Sequence, residues 1–324
     1  MIPLRDTEPT RNYPVVNSII IATNVLVYIF QLAQGDGSNR IFHIYGLLPA
    51  RYSEPEIAAY FTTGQQIFSF FSYMFLHGGF WHLLGNMWSL YIFGDNIEDT
   101  LGHLRYIFFY VLCGLASGIS HVLINWGSGV PTIGASGAIA GVMGAYILLY
   151  PRAKILTLIP IFFIPYFVEL PAFFFLGIWF VLQFFSATLS QGQGGIAWWA
   201  HIGGFIFGLI FLKVFRIIPE WGITRKVRQR TAKKGSHRLR TIKTVAGGGG
   251  DSNLYGTITI TSKEAETGTR KIVNVPWGFQ KRLFAVTVPP GVRNGTRLRL
   301  SGIGKKIGNM RGDLYLEVKI AGFG

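Results

Sequence analysis

Long apolar runs dominate residues 15–216 and end there. Six of them approach the ~20 residues that a helix needs to cross a bilayer. They cover 15–34, 79–95, 104–126, 132–150, 170–190 and 197–216, the second being short by this measure. A further apolar stretch, 155–168, is broken by Pro160 and Pro165. It is too short to span and reads as interfacial. From Asp251 onward, apolar and polar residues alternate with period two, as in strands that bury one face. These strands are expected at 254–260, 271–275, 283–288, 296–300 and 314–320. Turn residues separate them at Pro289-Pro290-Gly291, Asn294-Gly295 and Arg311-Gly312-Asp313. The pattern therefore predicts an α-helical polytopic membrane protein of six transmembrane helices followed by a small all-β domain. Its expected parts are an N-terminal segment 1–14, a helical domain 15–218, a basic Gly-rich linker 219–250 and a β domain 251–324.

Composition agrees with two environments. Half of the 324 residues are hydrophobic and only 14% are charged, against about 25% in soluble domains. Basic residues set the expected orientation. Arg5 and Arg11 precede the first span, Arg105 lies between the second and third, and Arg152 and Lys154 follow the fourth. Lys213 and Arg216 close the sixth, whereas the third–fourth and fifth–sixth connections carry no Lys or Arg. Both termini are thus expected in the cytoplasm of a multi-pass protein of the cell (plasma) membrane. The net charge of +15 suits anionic lipid headgroups, and no nucleic-acid module accompanies it. Residues 1–14 lack the layout of a signal peptide, so the first helix is expected to persist in the mature protein. The single Cys113 excludes an internal disulfide framework and a cysteine metal site; it reads as a small packing residue. No cofactor and no metal are expected.

Orientation carries a chemical consequence. Spans two, four and six all run from outside to inside, so polar residues near their starts share one depth. Span two opens with His77, His82 and Asn86; span four with Gly134-Ala135-Ser136-Gly137; span six with His201-Ile202-Gly203-Gly204. At ~1.5 Å per residue, Ser136 and His201 are placed roughly 6 Å inside their spans and Asn86 about 10 Å inside its own. Polar groups at such depth normally mark function. A serine hydroxyl becomes a nucleophile when a base takes its proton, and His201 is a fitting base. His82 and Asn86, four residues apart, share a helix face. Both are candidate donors to an oxyanion, as is the Ser136 N–H. No carboxylate lies at that depth in spans four or six, so a dyad is expected, with the imidazole held by packing alone. Gly137, Gly141 and Gly144 in span four, and Gly204 and Gly208 in span six, let helix backbones approach closely.

At these residues the chain resembles the rhomboid family of intramembrane serine proteases over about 15–216. The motifs carrying the likeness are His77-x4-His82-x3-Asn86, Gly134-x-Ser136-Gly137 and Ala200-His201-x-Gly203-Gly204. The resemblance implies Ser136 as nucleophile and His201 as base. It implies an oxyanion hole from His82, Asn86 and the backbone around Gly134, with a supporting role for His77. It further implies transmembrane protein substrates and a site open to the extracytoplasmic side. The chain departs from the family twice. Phe68-Ser69 stands where many members carry Trp-Arg in the first connection, and Ala140 stands where some carry an aromatic that packs the histidine.

The tail, over roughly 251–320, resembles the first C-terminal β domain of DnaJ-type co-chaperones. The carrying residues are Glu264-Ala265-x-x-Gly268-Thr269, Val288-Pro289-Pro290-Gly291, Gly295-Thr296, Gly302-x-Gly304 and Gly312-Asp313-Leu314-Tyr315. No His-Pro-Asp tripeptide occurs, so the J-domain is missing. The resemblance implies a cytoplasmic polypeptide partner, partly bound by strand addition; a purely structural module is the alternative. Rival readings of the whole chain are an inactive client-binding relative, a tethered holdase, and a transporter, which would need the paired intramembrane carboxylates and lysines these spans lack.

Overall fold

The computed structural model describes residues 1–161, 164–189, 197–218, 227–228, 230–232, 239–241, 245–246, 251–277, 280–307 and 310–321. Most of the basic linker expected at 219–250 lies outside these residues. The chain divides into two units, Met1–Lys233 and Lys234–Gly324.

The first unit opens with strand β1 (Ile2–Asp6) and helix α1 (Val15–Ala33). A loop of short helices follows: α2 (Ser38–Tyr45), α3 (Ala50–Ser53), α4 (Pro55–Ala58) and α5 (Thr63–Ser72). Then come α6 (Phe80–Leu101), α7 (His103–Ile124) and α8 (Ser136–Leu149). A hairpin of β2 (Lys154–Ile161) and β3 (Ile164–Pro171) leads to α9 (Ala172–Leu189) and α10 (Trp198–Ile217). Among the described residues, α1, α7, α9 and α10 are long and apolar enough to cross a membrane. Helix α6 has the length, at 22 residues, but carries Asp95, Glu98 and Asp99 toward its end. Helix α8 is only 14 residues long.

The helical unit has an apolar core, but its helices also expose many long apolar side chains, and some bury polar ones. Helix α1 buries Asn17, Ile20, Asn24 and Gln31, while Ile19, Leu26, Ile29, Phe30 and Leu32 are exposed. Lipid is as apolar as leucine, so the bundle gains by pairing its polar groups internally. Asn17 donates to the Leu90 carbonyl (3.0 Å) and accepts from Tyr106 Oη (2.7 Å). At the opposite end of α1, Gln31 donates to the His77 carbonyl (2.9 Å) and accepts from the His77 N–H (3.1 Å). The Glu98 carboxylate accepts the N–H groups of Val16 (2.9 Å) and Asn17 (2.7 Å). A carboxylate at a helix N-terminus is favourably placed, and this contact explains why the acidic end of α6 lies against the start of α1.

Two segments carry structure that periodicity alone did not predict. The stretch read as interfacial, 155–168, forms most of the β2–β3 hairpin, in which Pro160 faces Pro165. Its alternating β-branched residues (Ile155, Thr157, Ile159, Ile161) favour strand over helix. The polar segment 1–14 contributes β1, which pairs antiparallel with β2.

The first connection, which has Phe68-Ser69 where the resemblance implies Trp-Arg, is tied down by other residues. Arg51 is fully buried, with its guanidinium 3.8 Å from the centre of the Phe61 ring. It donates to the carbonyls of His43, Ile44 and Gln65, joining α2 to α5. Beside it, Tyr52 Oη lies 2.6 Å from the hydroxyl of the buried Ser69. Ser69, one half of the departure, is therefore part of the replacement anchor.

The second unit contains β4 (Leu239–Thr241), β5 (Val245–Ala246), β6 (Leu254–Thr261), α11 (Ser262–Thr267), β7 (Thr269–Trp277) and β8 (Gln280–Val288). It continues with β9 (Arg297–Leu300), β10 (Lys306–Ile307), β11 (Met310–Arg311) and β12 (Leu314–Ala321). All five strands expected from period-two alternation are present. One sheet has the order β5-β6-β12-β9, with β6 and β12 parallel; another is β4-β7-β8. Alternate residues Ile258, Ile260, Val273, Val275, Val286, Val288, Leu314, Leu316 and Val318 form the core. Helix α11 was missed, although Thr261 and Glu264 form a capping box that marks its start. Gly291 and Gly295 adopt φ of +77° and +86°, as the expected turns require. The Gly302 N–H and Arg299 hold the Asp313 carboxyl below the usual carboxylate range and pin the last turn.

Candidate active site

Helix α8 begins at Ser136, four residues later than the expected span. Residues 132–135 are held outside the helix by other bonds. Thr132 exchanges both backbone hydrogen bonds with Leu47 (2.8 and 2.9 Å), and the Gly134 N–H donates to the Tyr73 carbonyl (2.8 Å). Gly134 has φ +126°, a region that favours glycine. Ser136 thus sits at the helix N-terminus itself and not a turn inside it. The first N–H groups of a helix have no intrahelical partner, and no side chain caps this one.

The Ser136 hydroxyl donates to His201 Nε2 at 2.7 Å. This contact joins the start of α8 to the first turn of α10 across 65 residues of sequence. Small residues make it possible. A Cβ at Gly204 would lie 2.0 Å from the Gly137 carbonyl oxygen, and one at Gly208 would lie 2.1 Å from that of Gly141. A Cβ at Gly137 would lie 1.9 Å from Ser117 Oγ, which itself donates to the Ala200 carbonyl (2.7 Å). Helices α8 and α10 therefore approach to backbone contact around the Ser–His pair, with small side chains of α7 packed against both. Ala140 lies in this seam, 3.4 Å from a Cβ at Gly204, where an aromatic would not fit. Cys113 packs there as well, fully buried against Gly141.

The expectation that packing alone holds the imidazole is corrected. His201 Nδ1 donates to Gln183 Oε1 of α9 at 2.8 Å. Trp179 and Trp198 flank the ring, each with its centroid 6.1 Å away, at interplanar angles of 34° and 89°. Gln183 was not among the expected site residues. Its signal was present: it is the single amide in the otherwise apolar α9, and it is buried while Val181, Leu182, Phe184 and Phe185 are exposed. An amide in a membrane helix calls for a partner.

The remaining expected residues gather on the same spot. His82 and Asn86, in the first two turns of α6, converge on Gly134. A Cβ at Gly134 would lie 2.8 Å from His82 Nε2 and 3.6 Å from Asn86 Nδ2. His77 supports them, accepting from Asn86 Nδ2 at 3.0 Å. The Gly78 N–H points to His82 Nδ1 at 3.4 Å, which leaves Nε2 as the protonated nitrogen. A cavity of about 280 Å³ opens over the pair. Asn86, Ser89, Ser136, Gln183 and His201 provide its polar lining; Ile139, Met143, Trp179 and Trp198 provide apolar walls. Among the described residues, no cluster of side chains is suited to hold a metal ion.

Comparison with known proteins matches each part of the chain separately. Residues 64–217 match the Rhomboid domain, and residues 254–322 match the DnaJ C terminal domain. The chain is 29% identical to the Rhomboid protease GlpG of Haemophilus influenzae over 155 residues, covering 47% of this chain and 72% of that protein. It is 29% identical to the mitochondrial Rhomboid protein 1 of Saccharomyces cerevisiae over 141 residues, 42% of this chain and 38% of that one. To RHOMBOID-like protein 1 of Arabidopsis thaliana it is 29% identical over 158 residues, 48% and 36% respectively. The chain thus spans less than two fifths of the length of the yeast and plant relatives. The chain thus joins a helical segment, 64–217, that matches the Rhomboid domain to a β-rich segment, 254–322, that matches the DnaJ C terminal domain.

Proposed function

We propose that the chain is an intramembrane serine endopeptidase that cuts transmembrane segments of other membrane proteins. The observation that carries this reading is the 2.7 Å contact from the Ser136 hydroxyl to His201 Nε2. His201 takes the Ser136 proton as Oγ adds to the substrate carbonyl. The oxyanion that results is met by His82 Nε2–H, the Asn86 amide and the free N–H groups at the start of α8. His201 then gives the proton to the departing amine, and water completes hydrolysis by the same route in reverse. The apolar cavity walls suit a substrate drawn from lipid. The direct test is labelling of purified protein by a serine-reactive fluorophosphonate. Labelling of wild type and none of Ser136→Ala supports the reading; equal labelling of both, or none of either, defeats it.

The oxyanion donors have their own signature. Asn86→Ala and His82→Ala are each expected to lower kcat by about 10²–10³-fold while KM stays near wild type, because the contact exists only in the transition state. Steady-state kinetics on a transmembrane substrate measures both constants. An unchanged kcat in both variants places the donors elsewhere.

The proposed topology has six spans, α6 and α8 included, with both termini in the cytoplasm and the site open to the outside of the plasma membrane. Three features support it: the Lys and Arg asymmetry between connections, the position of His82 and Asn86, Ser136 and His201 near the starts of α6, α8 and α10, and the acidic residues at the far end of α6. A reporter fused after Gly324 is expected on the cytoplasmic side, and a cysteine introduced at Gly129 is expected to react with an impermeant reagent from outside. In this orientation the β domain faces cytoplasmic polypeptides, its proposed partners. The opposite labelling pattern removes both the topology and that assignment.

A further inference from the structure

We propose that Gln183 is a positioning residue that selects the reactive tautomer of His201, making the site a Ser–His–Gln relay. The inference rests on the dyad reading above and extends it.

A neutral imidazole carries one N–H and one lone pair. To act as the base toward Ser136, His201 needs its lone pair at Nε2 and hence its proton at Nδ1. That proton lies in a half-buried ring and requires an acceptor. The two neighbouring indoles cannot provide one, since a tryptophan N–H only donates; they limit the ring's tilt without choosing its tautomer. Gln183 Oε1 is the acceptor, 2.8 Å from Nδ1. Were the amide turned over, its NH2 would face Nδ1. The imidazole proton would then sit on Nε2 and point at Ser136, and the base would be lost. The relay thus has one productive arrangement and one dead one, distinguished by the side chain at position 183.

The proton balance is closed. The Ser136 proton moves to Nε2 as the Oγ–carbon bond forms, and leaves from Nε2 to the amine as the peptide bond breaks. In the second half a water proton takes the same path and returns to Ser136 Oγ. Throughout, Nδ1–H stays on its ring and donates to Gln183, whose amide oxygen dipole favours the transient imidazolium. Gln183 exchanges no proton, so it positions and does not react.

The test joins spectroscopy to kinetics on the full-length protein. In 15N-histidine-labelled wild type, at a pH where the ring is neutral, the His201 signal, assigned by its loss in His201→Gln, is expected to show a protonated Nδ1. Gln183→Leu, close in volume but without an acceptor, is expected to lower kcat by about 10²-fold with KM within about twofold. Gln183→Glu restores the acceptor and is expected to recover at least about tenfold over the Leu variant. A wild-type ring protonated at Nε2, a Leu variant with kcat within about twofold of wild type, or a Glu variant no better than Leu overturns the proposal. The tautomer measurement needs only wild-type folding and stands even where the Leu variant is unstable. Ser136→Ala, run alongside, separates the two levels. If it still cleaves, the dyad falls and the relay with it; if it is dead while Gln183→Leu is fully active, only the relay falls.

Discussion

Replacing Ser136 or His201 by alanine is expected to abolish cleavage of a transmembrane substrate, and replacing both is expected to cost no more than either alone. The expectation follows from the 2.7 Å hydrogen bond between them. The hydroxyl without its base is a poor nucleophile, and the base without its hydroxyl has nothing to activate, so the pair acts as one unit. In a comparable serine hydrolase unit, single and combined losses are of similar size, about 10⁶-fold, leaving only the contribution of the oxyanion hole and binding. The measurement is single-turnover cleavage in proteoliposomes free of other proteases. Independent, multiplicative losses in the double variant would contradict a shared unit. Robust turnover by either single variant would remove the serine mechanism altogether.

A single methyl group at Gly204 is expected to slow the enzyme strongly as well, although Gly204 has no role in the chemistry. Its Cβ would lie 2.0 Å from the Gly137 carbonyl oxygen, a backbone atom that no rotamer change can move aside. Helices α8 and α10 must separate, and these are the helices that carry Ser136 and His201. Overpacking of this kind costs about 1–3 kcal/mol. The catalytic effect is larger, because a displacement of about 1 Å at the reacting groups is worth roughly 10²-fold in rate. Gly204→Ala is therefore expected to lower the rate of fluorophosphonate labelling and of cleavage by about 10²-fold and to lower the thermal midpoint in detergent. Gly177→Ala in α9 is the control. A Cβ there meets nothing within 4 Å, and both properties should match wild type. Equal behaviour of the two variants would show that the α8–α10 contact does not set the Ser–His distance.

The difference between these two predictions marks how far a linear reading reaches. Ser136, His201, His82 and Asn86 were legible because polar residues in apolar runs are few and costly, and because the basic residues between the runs give each helix a direction. An expected direction turns separate motifs into residues expected at one depth without any knowledge of packing. The β domain was legible for a related reason: period-two alternation with Gly and Pro turns is a local property, and all five expected strands formed. Gly204 and Gly208 were legible as a stripe of small residues, but not as atoms in contact with particular carbonyls.

What the tertiary structure alone decided depends on contacts distant in sequence. The β1–β2–β3 sheet joins residues 2–6 to 154–171, and alternation in a short, proline-broken segment does not announce a partner some 150 positions away. The first connection, with Phe68-Ser69 in place of a Trp-Arg pair, is anchored by Arg51, whose guanidinium finds carbonyl acceptors in α2 and α5 only once those helices are folded against it. The start of α8 was set by Leu47 and Tyr73, which claim the backbone of residues 132–134 before the helix can. Gln183 is the clearest case. In sequence it is one amide in an apolar run, and the charge pattern gives its depth no chemical meaning. It becomes part of the site only because α9 packs beside α10 and lays its carbonyl oxygen against His201 Nδ1. Composition and charge place the candidate residues at one expected depth; side-chain packing of α9 against α10 puts an amide oxygen 2.8 Å from His201 Nδ1.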